Sequence, residues 1–366
     1  MVSRLHTEGR YIKNEYGQIV QLTGPCWMDF NLAKARIEGP QHGTFLETID
    51  WRLNRHKELG VNCVRISMNQ SWWVNGGAYV TPEQYQAQLD RIVETCQALD
   101  IYVYFCLHLG SSGADDMMAA LMADHNYKHS SWSYGWLDFT KLLTDRYKDS
   151  PAFVGLQIWA EPAWGHETDI NILNEKWASF MQDNIDAIHS VNLDTLVFVT
   201  SPGYYTYKWV SHYYVDNPLI GSNIVYAWQD YYMHQSKIID LYNAGDYEAA
   251  RSYLEDWFEQ KAFKMTSAPT MLAEMGFSLT RPTQNWGIEL HAIKDWYAIQ
   301  RLRQQGWTQW VWGYPGQDLG LTEDDWTTLN VIGDVMVQNL AGKTSSHLLT
   351  INTKDVVGVP FTIKGV

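Results

Sequence analysis

Eight short apolar runs punctuate the chain, ending near residues 27, 67, 108, 161, 200, 228, 274 and 312. Runs of this length, nearly free of charge, read as strands buried on both faces, as in a parallel sheet. Segments with helical cues separate most of them, the 201–222 link being the least clear. Eight alternating βα units over about 300 residues point to a (β/α)8 barrel. An open doubly wound sheet is the alternative. It usually carries a glycine-rich phosphate turn after its first strand, and Gly24-Pro-Cys-Trp27 is not one.

The helical cues are specific. Residues 44–59 place Leu46, Ile49, Leu53 and Leu59 on one face, with Gly60 as the C-cap. Thr81-Pro82-Glu83-Gln84 is a helix start with an N-cap threonine, proline at the first position and glutamine at the third. Further helices are expected over 137–148, 171–190, 236–262 (with Asp246 as an N-cap), 286–305 and 325–341. The acidic run Glu323-Asp324-Asp325 reads as the start of the last one, where negative charge suits the dipole. The long segment 109–135 reads as a functional loop.

Ahead of the barrel, residues 10–23 read as two short strands around a turn at Gly17, the second continuing to Trp27. After Lys343 the pattern turns β-like, so the chain divides into a barrel over 1–342 and a tail over 343–366. The tail is either a strand pair on the barrel or the opening of a truncated second domain, and the latter is favoured.

Composition narrows the partners. The net charge is −14 without a basic cluster, which argues against nucleic acid and against an anionic membrane surface. No apolar run approaches the roughly 18 residues of a membrane-spanning helix. Residues 1–20 carry charges and lack the apolar core of a signal peptide; secretion is the expectation, with the leader absent from this chain. Cys26, Cys63, Cys96 and Cys106 show no CxxC spacing, so neither metal nor redox use is expected. The 18 Trp and 22 Tyr exceed what a core needs and suggest a ring-lined groove for flat sugar faces.

Two of the runs end alike. Phe153 to Trp159 leads to Ala160, Glu161 and Pro162, and Pro269 to Ala273 leads to Glu274 and Gly276. A carboxylate at the C-terminal end of a barrel strand sits where barrels do their chemistry. Two on one rim, amid aromatic rings, suit glycosidic cleavage: one protonates the leaving oxygen, and the other attacks the anomeric carbon or activates water. Their mutual repulsion lets one be acid while the other is base. Arg65, near the end of its strand, would favour the ionised form of its nearest carboxylate.

Tyr11-Ile12, Gly17 to Gly24, Gly60-Val-Asn-Cys-Val-Arg65-Ile66, Leu107-His108, Trp159-Ala-Glu161-Pro162, Leu272-Ala-Glu274-Met-Gly276 and Trp310-Val-Trp312 stand in order along the chain. Together they resemble glycoside hydrolase family 5, over about residues 5–341. The resemblance implies a retaining mechanism on a β-linked glycan, with Glu161 as acid/base and Glu274 as nucleophile. It implies Arg65 as support for the nucleophile, His108 and Tyr231 as site residues, and Trp312 as the floor of the cleavage subsite. Trp27 and Trp73 join the candidate substrate-binding side chains, Trp73 because Trp72-Trp73 follows strand two where a sugar platform would sit.

Two positions depart from the family pattern. Ala160 stands where the family has an asparagine that holds the sugar 2-hydroxyl, and Gln229 stands where it has a histidine. The reading is an endo-β-1,4-glucanase, without cofactor or metal, acting as a monomer on β-glucan. A β-mannanase, an exo-β-glucosidase or a catalytically weak glycan-binding barrel are the alternatives. His125 and His129, near Asp115, Asp116 and Asp124, lack a third clear metal ligand.

Overall fold

The computed structural model describes residues 2–32, 34–108, 114–162, 169–201, 212–231, 236–277, 286–313, 320–323 and 325–340. The 343–366 tail and Asp324 lie outside the described residues.

Eight parallel strands close into a barrel: β3 (Thr23–Trp27), β4 (Cys63–Met68), β5 (Tyr102–Leu107), β6 (Phe153–Ile158), β7 (Leu196–Val199), β8 (Ile224–Tyr231), β9 (Thr270–Gly276) and β10 (Gly306–Gln309), with β10 pairing back to β3. The expected eight-unit barrel is therefore what the chain forms, and the open sheet is excluded by closure. Helices α1 (Phe45–Leu59), α2 (Gln70–Asn75), α3 (Pro82–Ala98), α4 (Ala114–Ala123), α5 (Trp136–Tyr147), α6 (Ile170–His189), α7 (His212–Asp216), α8 (Ser236–Asn243), α9 (Tyr247–Phe258), α10 (Trp286–Leu302) and α11 (Val331–Gln338) occupy the connections.

The caps follow the chemistry of the residues. Thr44 and Thr81 each form a reciprocal capping box, with Glu47 and Gln84, satisfying donors that a helix start leaves open. Gly60 closes α1 at φ 89°, a conformation that favours glycine.

Four local expectations are corrected. The N-terminal hairpin is β1 (Leu5–Glu8) against β2 (Tyr11–Asn14), turning at Gly9 rather than Gly17; beyond Gly17 only a single bridge, Lys13 to Ile19, remains. The 109–135 segment contains α4. The 236–262 helix is two helices, because Gly245 takes φ 75° and Asp246 starts a new N-cap on Ala249 N–H. The last helix begins at Val331, not 325. Asn330 caps it, whereas the Asp325 carboxylate accepts from the Thr327 and Thr328 N–H groups in a separate turn.

Side chains divide by parity. Leu22, Cys63, Tyr102, Tyr104, Val154, Phe198, Val225, Ala227 and Met271 fill the barrel, together with Leu5 and Ile12 from the hairpin. Their strand neighbours Val64, Val103, Tyr226, Trp228 and Leu272 pack outward with the helices. Strand β9 breaks this alternation. Trp228 pairs with Leu272, but Gln229 pairs with Glu274, so Ala273 is an extra residue. The same irregularity shows against β10, where Trp307 pairs with Leu272 and Gln309 with Met275. A bulge re-aims the side chain beside it. Here Leu272 and Met275 both point outward, and Ala273 and Glu274 are left for the inside.

Candidate active site

Glu274 is buried near the C-terminal end of β9 and held by polar partners. Nη1 of Arg65 lies 3.0 Å from its Oε2, and Nε2 of Gln229 donates to the same oxygen at 3.1 Å. The Tyr231 hydroxyl donates to the other oxygen, Oε1. The carboxylate is thus held from the neighbouring strand β8 on both oxygens and from β4, across the interior, on one. Burial pushes the carboxyl above its ordinary range, against the pull of Arg65 and then of the Tyr231 hydrogen bond.

Arg65 is itself fully enclosed. Its Nε donates to Gln157 Oε1 at 2.8 Å, Nη1 reaches Ser67 and the Cys26 sulfur, and Nη2 lies 3.0 Å from the Cys106 sulfur. A buried charge requires this density of partners. The Tyr231 phenol is held well above its usual value, by burial first and by the Glu274 charge second, so it stays a donor. His108 follows β5 with inward parity and packs near Trp310, ring centroids 6.3 Å apart. Burial, then the Arg65 charge, push it down to about 3, which keeps it neutral.

Glu161 follows β6 and is half-buried. Its charge acts on Tyr231, so it shares the site with Glu274. The turn that carries it is built from the backbone. Trp159 adopts φ 59°, unusual for a residue with a Cβ. The Thr200 hydroxyl donates to the Trp159 carbonyl at 3.0 Å, and Gln229 Nε2 donates to the Ala160 carbonyl at 3.0 Å.

Glu161, Glu274, Arg65, His108, Ala160, Gln229 and Tyr231 therefore gather at one end of the barrel. Three tryptophans do not. Trp27 alternates outward from Cys26, donates to His56 Nε2 at 2.9 Å and lies under the Arg52 guanidinium. Trp312 is enclosed edge-on against His56, centroids 4.3 Å apart, in the layer between barrel and helices. Trp73 packs on Phe139 beneath Arg146. Among the described residues, Trp310 is a tryptophan that clusters with site residues, packing with Cys26, Val311, Met28 and Tyr231. Trp310 and Trp312 share a parity, so period-two counting does not tell them apart. Gln157, Thr200 and the Cys26 and Cys106 thiols were missed as well; a glutamine inside the apolar run of β6 was the available signal.

His125 pairs with Asp183 of α6 at 2.6 Å and His129 with Ser131 in its own loop at 2.7 Å. Asp115 has no described side chain. Among the described residues no three His, Cys, Asp or Glu side chains converge as a metal site, and no helix is long and apolar enough to cross a membrane.

A closed parallel barrel with a buried, arginine-held carboxylate and a second carboxylate at the same mouth is the frame of a barrel hydrolase. The chain belongs to the cellulase family, glycosyl hydrolase family 5, whose model matches residues 30–316. It is accordingly a glycoside hydrolase that works with retention, by double displacement. An endoglucanase of Paenibacillus polymyxa is 22% identical over 362 residues, covering 89% of this chain and 84% of that protein. The catalytic domain of the major endoglucanase from Xanthomonas campestris pv. campestris shares the fold, with a TM-score of 0.65 at 18% identity over 93% of this chain and all (100%) of that one. An endocellulase from Pyrococcus horikoshii, in complex with cellotetraose, does so with a TM-score of 0.67 at 16% identity, over 92% and 99%.

Proposed function

We propose that the protein is an endo-β-1,4-glucanase in which Glu274 attacks the anomeric carbon and Glu161 serves as acid, then base. The observation that carries this is the fixed ionic environment of Glu274, held on one oxygen by Arg65 and on the other by Tyr231. A nucleophile must be ionised when the sugar arrives, and the positive neighbour favours that form against the burial that opposes it. In the first step negative charge leaves Glu274 as it bonds to the sugar, while Glu161 gives its proton to the leaving oxygen and becomes the anion. In the second, Glu161 takes a proton from a water as the water's oxygen bonds to the anomeric carbon, and Glu274 departs as the carboxylate. Trp310, packed with Tyr231, is the ring suited to a sugar face. The related endoglucanases support a polymeric β-glucan substrate; a polymer does not cross a membrane unaided, so the enzyme would meet it outside the cell.

One observation favours a second reading. Ala160 has no side-chain polar group for a 2-hydroxyl, a contact that otherwise contributes in the transition state. A glycan whose C2 is epimeric, such as β-mannan, would miss that contact least. Reducing-sugar release from soluble β-glucan, β-mannan and xylan, wild type beside Glu274→Ala, tests both. Release from β-glucan that vanishes in the variant is expected. Release from mannan alone would move the substrate, and undiminished release in the variant would remove Glu274 from its role.

A further inference from the structure

Gln229 bridges the two halves of the site. Its Nε2 lies 3.1 Å from Oε2 of Glu274 and 3.0 Å from the carbonyl oxygen of Ala160, the residue before Glu161. Both neighbours are acceptors, so the nitrogen's two protons are fully committed and the orientation of the amide is settled. Its Oε1 is then buried without a hydrogen-bond partner among the described residues. A buried orphan acceptor costs free energy that an apolar side chain of the same shape would avoid. Packing therefore does not account for an amide here, whereas its two donated bonds do.

Those bonds act at separate places. One holds the carboxylate of β9 that the bulge has turned inward. The other holds the peptide just after the left-handed Trp159, in the turn that aims Glu161. Ala160 offers no polar side chain, so its carbonyl is the available handle on that residue. The geometry points to Gln229 as a positioning residue for both carboxylates, holding Glu274 directly and Glu161 through the Ala160 carbonyl. The inference rests on the reading of these two glutamates as the catalytic pair.

An amide also leaves the site without a titrating neighbour at this position. The ionisable groups acting on Glu274 or its immediate partners are Arg65 on β4, Cys26 on β3, Tyr104 and Cys106 on β5, His108 just after β5, Tyr231 on β8 and Glu161 after β6. Burial pushes the two thiols up to about 11 and about 12, so both stay neutral near pH 7. A charge placed at 229 should consequently be read out by Glu274 itself.

The test uses 2,4-dinitrophenyl β-cellobioside, whose leaving group needs no proton, so the acidic limb of kcat/KM reports ionisation of the nucleophile. Gln229→Glu sets a second carboxylate against Glu274 and is expected to move that limb up by about one pH unit or more. Gln229→His, cationic at low pH, is expected to move it down. Gln229→Leu should lose about tenfold on this substrate, and more on phenyl β-cellobioside, whose departure needs Glu161. Limbs that superimpose on wild type in both charged variants overturn the proposal. If Gln229→Glu does not fold, the limb of Gln229→His decides alone, in either direction. Equal losses for Gln229→Leu on both substrates overturn the link to Glu161. An inactive wild type, or a fully active Glu274→Ala, instead overturns the assignment of the pair on which the inference stands.

Discussion

Arg65 and Glu274 face each other across the barrel interior at 3.0 Å, with side chains 0% and 2% exposed. Each would be costly to bury alone. The arginine offsets part of the burial that pushes the glutamate up, and its remaining donors reach Gln157, Ser67 and two sulfurs. The pair is an electrostatic unit in which removing either charge leaves the other exposed to a low dielectric.

Replacing the arginine tests that unit. Arg65→Gln should shift the acidic limb of kcat/KM upward, because Glu274 without its cation favours the protonated form. The fold should lose about 3–5 kcal/mol, as for other buried pairs broken on one side. The sign with pH follows from the raised carboxyl. A folded-state value further above the unfolded one costs nothing at acid pH, where both states are protonated, and its cost grows as pH rises through the folded value. Urea melts at a series of pH values should therefore show the smallest deficit at the acid end.

The two glutamates should separate by stereochemistry. Glu161→Ala should lower the rate about 10²–10⁴-fold on substrates whose leaving group needs a proton. Azide should speed it on activated substrates, attacking the glycosyl-enzyme and giving a product of retained configuration. In Glu274→Ala, azide can enter only from the vacated side and should give the inverted product. NMR of the glycosyl azides distinguishes them; the reverse pattern would exchange the two roles.

Much of this was legible in the chain. The barrel strands announce themselves because a strand covered on both faces must be apolar, and both glutamates stand where such runs stop. What period-two counting does not carry is a break in the period. Glu274 reaches the interior through the extra residue at Ala273, which only pairing with β8 and β10 reveals. Trp312 and Trp310 are chemically equivalent as letters, and their direction depends on the path of the chain after β10. The second contact of Gln229, to a backbone carbonyl, has no signature in side-chain identity at all.

Close approach of β6 and β7 gives a stability prediction. A Cβ at Gly155 would lie 1.9 Å from the Leu196 carbonyl oxygen, a backbone atom in the partner strand. Gly155→Ala must therefore push the strands apart, and should cost about 3 kcal/mol or more. Gly17→Ala is the control: nothing lies within 4 Å, and only its φ of 75° resists a side chain, at about 1–2 kcal/mol. Urea midpoints of the two variants measure the difference; equal midpoints would refute the tight packing at Gly155.

Thr200 offers a way to loosen Glu161 without touching it. Its hydroxyl donates to the Trp159 carbonyl at 3.0 Å and lies 3.3 Å from that of Ile158. Thr200→Val keeps the shape and removes the donor, leaving buried carbonyls at a cost of about 1–3 kcal/mol. That cost falls on the left-handed turn at Trp159, two residues before Glu161, and not on Glu274, which is held from β4 and β8. The kcat/KM on a dinitrophenyl glycoside, which reports the first step and needs only the nucleophile there, should stay near wild type. Activity on phenyl glycosides should fall about tenfold, because small displacements of a proton donor are expensive. The ratio of the two rates is the measurement, and a ratio equal to that of wild type would show that Thr200 has no part in aiming the acid.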